Sequence, residues 1–270
     1  MRAAAFALLA AACACAGATA ARAPRALAGI RISDLDALEI GKRIWDNECG
    51  GTERGLTSWN AGEEFASLGI GHFIWYPENY RGPFIESFPK LVAYLEKKGV
   101  ALPAWLLAAR ACPWPSREEF IRDIGSERMI ELRKLLAATV GLQARFAAGR
   151  LEEALPKMLE GLPAREQERV RGQFYRVARE PLGPYALMDY VNFKGEGTSI
   201  TERYAGRGWG LLQVLQGMSG SGSGPAVLEA FARSAQRQLE RRVRHSPPER
   251  DEARWLPVWR RRLETYLAGR

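Results

Sequence analysis

Behind Ser33 and Asp34, Leu35, Leu38, Ile44 and Trp45 recur at near-helical spacing before Gly50-Gly51. That pattern predicts a helix capped by Ser33 or Asp34 and running to about Glu48, stopped by the glycine pair. From 55 to 76 the period shortens: GLTSWN and EFASLGIGHFIWYP read as strand, with a turn at Ala61-Gly62, so a hairpin or small meander is expected. From Ile85 to Glu180 the pattern is almost wholly helical, broken at Gly99, Pro113–Pro115, Gly125 and Pro163. Helix resumes at Tyr185–Phe193, KGEGTSITERYAGRG reads as a loop, and WGLLQVLQGM as helix. The run SGSGSGP at 219–225 reads as a flexible hinge or loop. Two helices close the chain, Ala226–His245 and about Glu249–Leu267, split by Pro247-Pro248; Pro257 leaves the start of the second open. No internal repeat is visible. The expectation is a mainly α chain with one small β element after its first long helix.

Composition narrows the class. With 270 residues the chain holds one large or two modest domains; 47% hydrophobic and 26% charged residues are globular averages, which excludes wholesale disorder and collagen-like repeats. A formal charge of +8 and a pI near 9.5 suit an anionic partner or a merely soluble protein. The first residues, MRAAAFALLAAACACAGATA, combine Arg2, an apolar stretch and Ala18-Thr19-Ala20, the pattern of a signal peptide over 1–20. The expected location is therefore periplasmic or secreted. Nucleic acid drops out as a partner, leaving an anionic polysaccharide or membrane surface. Cys13 behind Ala10-Ala11-Ala12 only weakly matches a lipoprotein box. No other run is apolar enough for a transmembrane segment, and Ala21–Ile32 reads as a loosely ordered leader. Cys49 and Cys112 remain; they could pair as a disulfide in an oxidising compartment or stay as two buried thiols. With two His and no C-x-x-C spacing, neither a metal site nor a cofactor is expected.

Residues 48–77, ECGGTERGLTSWNAGEEFASLGIGHFIWYP, carry the strongest chemical signal. Glu48 stands where a helix gives way to a glycine-rich turn. A carboxylic acid there, packed on an aromatic such as Trp45, can be kept protonated by desolvation and act as a general acid. A second carboxylate on the hairpin could hold an attacking water. Two carboxyls opposed across a cleft are the working parts of a glycoside hydrolase. The aromatic residues Trp59, Trp75 and Tyr76 could stack on sugar faces or simply pack in the core. Arg241, Arg242 and Arg244, and the triplet Arg260–Arg262, read as solvated helix faces that could also steer an anionic glycan.

The same segment resembles the N-terminal lobe of phage-type lysozymes, in which a first helix ends in the catalytic Glu and Gly, and a hairpin carries Asp and Thr ahead of a Gly-x-Gly-His run. Glu48 takes the Glu position, with Cys49 intervening before Gly50. Ser67 takes the Thr position and His72 the His position, where the family's His supports the Glu. ALMDYVNFKGEG at 186–197 resembles the family's inner helix, with Asn192 and Phe193 in reversed order. WRRRLETYL at 259–267 resembles its C-terminal helix, with Arg260, Arg261, Glu264 and Leu267 in register. The family's Asp position falls on Ala61; Asn60, Glu63 and Glu64 are the possible replacements. Glu63 is preferred because strand alternation puts it on the face of Ser67, with Glu64 second.

GRGWGLLQVL at 206–215 also resembles the Gly-Leu-Met-Gln block of lytic transglycosylases and goose-type lysozymes, which manage with one catalytic Glu. In that register Glu196 or Glu202 would replace Glu48. Alternatively Tyr204, Trp209 and Gln213 only line a saccharide cleft.

The resemblance implies an α+β, mainly α, lysozyme-like domain over 33–270. It would have a small N-terminal β-hairpin lobe at about 50–80, a larger helical lobe and a long helical insert at about 85–180. The activity implied is hydrolysis of the β-1,4 glycan of peptidoglycan or a related anionic glycan, with Glu48, Glu63 and Ser67 catalytic, His72 in support and no cofactor. A transglycosylase and a non-catalytic cell-wall or envelope glycan-binding protein are the alternatives.

Overall fold

Ser33 caps the first helix, α1 (Asp34–Cys49). Its hydroxyl accepts the Asp36 N–H at 3.1 Å, and Asp34 and Asp36 place negative charge in the first turn. Gly50 ends α1 in the left-handed region at φ 61°. The computed structural model describes residues 29–267; the expected signal peptide at 1–20, with Cys13, lies outside the described residues.

Three short strands follow, β1 (Thr57–Ser58), β2 (Ala66–Leu68) and β3 (Phe73–Trp75), in an antiparallel sheet of order β1-β2-β3. Ser67 pairs with Ser58 on one side and Ile74 on the other. All of β2 is buried, so the sheet is a packed shelf rather than an exposed ribbon. The rest is helical: α2 (Phe88–Lys97), α3 (Ala104–Ala108), α4 (Arg117–Arg122), α5 (Glu127–Ala138), α6 (Val140–Leu159), α7 (Ala164–Ala178), α8 (Gly183–Lys194), α9 (Leu211–Gly217), α10 (Ala226–His245) and α11 (Leu256–Glu264). The expected breaks at Gly99, Pro113–Pro115, Gly125 and Pro163 all fall between helices. A further break at Thr139 separates α5 from α6, and Pro257 occupies the first turn of α11, where its missing N–H is harmless.

One core runs through the molecule. α1 lies along α6, where Gly41 leaves no room for a Cβ against Val140. α8 is enclosed: every residue from Gly183 to Tyr190 is buried, Asp189 included. No described helix is long and apolar enough to cross a membrane.

One expectation is corrected and two open alternatives are resolved. The described end of the leader is docked: the Ile30 N–H donates to Glu152 at 2.6 Å and Arg145 donates to the Ile32 carbonyl at 3.0 Å. The run at 219–225 is tied down rather than hinge-like. Arg176 donates to the carbonyls of Ser219, Gly220 and Gly222, while Glu180 accepts the Gly224 N–H. Cys49 and Cys112 are not joined; both are free, buried thiols. Burial pushes each up to about 12, Glu48 adding to the effect at Cys49.

Candidate active site

The site is assembled from four elements. Glu48 comes from the last turn of α1, and its side chain is 13% exposed. Arg262, on α11, donates through Nη2 to Glu48 Oε1. The same guanidinium grips Asp189 of α8 with two bonds, Nε to Oδ2 at 2.9 Å and Nη2 to Oδ1 at 2.8 Å. Asn47 donates to Asp189 Oδ1 at 3.0 Å and the Tyr266 hydroxyl to Oδ2 at 2.7 Å. Asp189 is fully buried and accepts four hydrogen bonds, the full capacity of a carboxylate. Burial alone would pull Arg262 down, but Asp189 and Glu48 outweigh it and hold the guanidinium above its ordinary range. Burial, reinforced by Asp189, pushes the Tyr266 hydroxyl well up, so it remains a donor.

His72 approaches Glu48 from the turn between β2 and β3. Its Nδ1 lies 3.8 Å from Glu48 Oε2, and its Nε2 lies 3.8 Å from Cys49 Sγ. The backbone there is left-handed at φ 45°, a conformation that costs a non-glycine residue free energy and is enriched at functional sites.

His72 also lines a pocket of about 200 Å³, together with Ser87, Arg150, Met188, Asn192 and Glu196. An adjoining pocket of about 430 Å³ shares Ile85, Arg150 and Glu196 with it and extends between α2 and α6 past Lys90, Tyr94 and Lys157. The two form a groove with His72 at one end; Glu48, 3.8 Å from His72, does not itself line it. Glu196 and Glu153 are its carboxylates.

The other expected residues are placed elsewhere. Glu63 precedes β2 rather than lying in it, so strand alternation does not reach it; its Oε2 accepts from Asn60 at 3.1 Å. Glu64 lines a separate depression of about 670 Å³ with Pro77, Tyr80 and Arg110. Ser67 is buried within the sheet. Trp59 is buried against Phe120, and its indole N–H donates to the Glu63 carbonyl at 2.7 Å; Trp75 and Tyr76 are also core. Trp45 spans the glycine turn by donating to the Thr52 carbonyl at 2.9 Å. Gln213 braces the start of α9, accepting the Gly210 N–H and donating to the Gly197 carbonyl. Glu202 is exposed.

Tyr204 and Trp209 belong to a second cluster. Arg242 lies 4.1 Å over the Trp209 ring and makes two 2.7 Å bonds to the buried Glu252, which also accepts the Tyr204 hydroxyl at 2.9 Å. Lys194 packs beside it, 3.8 Å from the centre of the Trp259 ring and 4.0 Å from that of Phe193. Burial, aided by Arg242 and Arg262 and opposed by Glu252 and Glu202, lowers its ammonium to about 7.

Asp189 and Arg150 are groups that the sequence reading did not single out, and Arg242 and Arg262, read as parts of solvated helix faces, are instead largely buried and paired with carboxylates. Two left a trace: Asp189 interrupts the apolar run ALMDYV, and Arg262 shares a helical face with the buried Trp259 and Tyr266. Among the described residues no group of three or more His, Cys, Asp or Glu could hold a metal ion. Comparisons with protein-family models, with curated proteins and with solved structures find no match.

Proposed function

We propose that the chain is a lysozyme-like glycosidase that cleaves the β-1,4 glycan of peptidoglycan, with Glu48 as the proton donor. The observation that carries this reading is the position of Glu48: at the end of α1, before the three-stranded sheet, held by Arg262 and faced by His72, which lines the groove. Asp189 already balances the charge of Arg262, so the guanidinium does not require Glu48 to stay charged when substrate arrives. Glu48 would give its proton to the glycosidic oxygen as the bond from that oxygen to C1 breaks. Water then adds to C1 and loses a proton to a carboxylate; that carboxylate releases the proton to solvent and Glu48 takes one up, which closes the cycle with one reducing end released.

Glu196 is the better candidate for that second carboxylate, since it lines the groove and Glu64 does not. The separation of the hairpin carboxylates from this groove also favours a second reading, a transglycosylase working through Glu48 alone. There the sugar's own 6-hydroxyl attacks C1 and returns its proton to Glu48, leaving an anhydro end. Either activity places the protein in the periplasm or outside the cell, where this polymer lies.

The test is incubation of the protein, and of Glu48→Gln, with purified peptidoglycan, followed by mass spectrometry of the soluble fragments. Glu48-dependent reducing ends support hydrolysis, and anhydro ends support the transglycosylase. No release by the folded protein overturns both and leaves the glycan-binding alternative.

A further inference from the structure

Arg150 lies on α6 where the two parts of the groove meet, and it lines both. Among the described residues its guanidinium makes no hydrogen bond and has no carboxylate within ion-pair reach; Glu196 and Glu153 act on it only through space. Its near neighbour is the Phe146 ring, 5.9 Å away. Arg145, in the same groove, pairs with Asp34 at 2.7 Å while its buried Nε has no partner, and Arg262 pairs with Asp189 and Glu48. Burial holds Arg150 below its ordinary value, the mark of a desolvated cation without a full partner. Its nitrogens keep contact with solvent, so the guanidinium is open to a ligand carrying matching acceptors.

We propose that Arg150 anchors a carboxylate borne by the substrate glycan and so sets which sugar lies beside Glu48. This rests on the glycan-cleaving reading above. A carboxylate fits better than a phosphate. Its two oxygens match one edge of a guanidinium, and carboxylates are the acids that the proposed glycan carries. Lys90 and Lys157, at the outer rim, add attraction of the same sign without a defined geometry. Two parts of peptidoglycan could supply the group, the lactyl acid on a sugar stripped of its peptide or a carboxylate of the stem peptide.

The test uses Glu48→Gln, so that substrate is bound and not cut, alone and combined with Arg150→Met or Arg150→Lys. Titration calorimetry measures binding of neutral chitohexaose, of glycan strands with the peptides removed, and of strands carrying them. Urea melts confirm that each variant folds. Arg150→Met is expected to weaken binding of acidic strands about 10–100-fold, the loss of one charge-assisted pair, while leaving chitohexaose unchanged. Arg150→Lys should recover part of the loss. Whichever strand shows the loss identifies the source of the carboxylate. Equal effects on all three glycans, or none on any, overturn the anchor while the glycan reading stands. Failure of every glycan to bind the folded Glu48→Gln protein overturns both.

Discussion

Two buried arginine–carboxylate clusters sit at the C-terminal end of the chain, and they differ in one charge. Arg242 has a single carboxylate partner, Glu252, which also accepts from Tyr204 and so uses three of its four acceptor sites. That cluster is balanced in charge, and Arg242, Glu252 and Trp259 border a depression of about 510 Å³. Arg262 has two, Asp189 and Glu48. Asp189 is saturated by four internal bonds and is wholly enclosed. Glu48 is surplus to the charge balance, partly exposed, and faced by an imidazole on a strained turn. A group that the fold does not need for its own neutrality can change protonation without collapsing the site. The contrast therefore separates a structural ion pair from one available for chemistry.

The comparison breaks first at Asp189. Asp189→Asn should destabilise the protein by about 3–5 kcal/mol: Glu48 still offsets the charge of Arg262, but the amide puts a donor where Arg262, Asn47 and Tyr266 all donate, leaving buried donors unmatched. Glu252→Gln should cost less, about 2–3 kcal/mol, because fewer buried donors converge on it. Urea denaturation at pH 7 measures both. Equal costs would mean that the two clusters do not differ as described.

Glu48→Gln sharpens the contrast from the other side. It should leave stability within about 1 kcal/mol of the parent, because Asp189 still balances Arg262, while cutting turnover of peptidoglycan by at least about 10²-fold. A large stability loss with activity retained would reverse the assignment and make Glu48 the structural member.

How much of this could be read along the chain follows from what each residue's neighbours in sequence reveal. Ser33, Gly50, the turn at Ala61-Gly62 and the prolines act locally, so α1, the meander and most helix breaks were legible. The break at Thr139 carries no glycine or proline and depends on α6 packing along α1, so it was not. Glu48 and His72 were legible because both sit in a short, distinctive run. Their partners Arg262 and Asp189 lie far along the chain from Glu48 and from each other, and nothing local tells a buried arginine in WRRRLETYL from its two solvated neighbours. Glu63 was preferred on strand alternation, and it failed that argument because the strand begins three residues later, at Ala66. Trp59 was legible as a core-or-binding alternative, whereas Trp209 and Gln213 were expected to line a cleft; tertiary structure shows each held by internal contacts.

Lys194 gives the smallest and most discriminating test, because it lies between the two clusters and feels both arginines. Its ammonium is lowered from 10.5 to about 7, chiefly by burial and then by Arg242. Between those values the unfolded chain binds a proton that the folded chain lacks. Stability contributed by this group therefore rises as pH goes from about 7 to 10.5 and is constant below that window. The faces of Phe193 and Trp259 oppose the effect, since each ring favours the charged form by about 0.5–2 kcal/mol. The net expectation is that Lys194→Met is more stable than the parent by about 1 kcal/mol at pH 7, with the gap closing by pH 10. Urea midpoints of the two proteins at pH 7, 8.5 and 10 measure it, and taking the difference cancels the other groups that titrate in this range. A gap that stays flat with pH would mean that Lys194 keeps its proton throughout, and that the rings, rather than burial, set the charge between the balanced cluster and the surplus one.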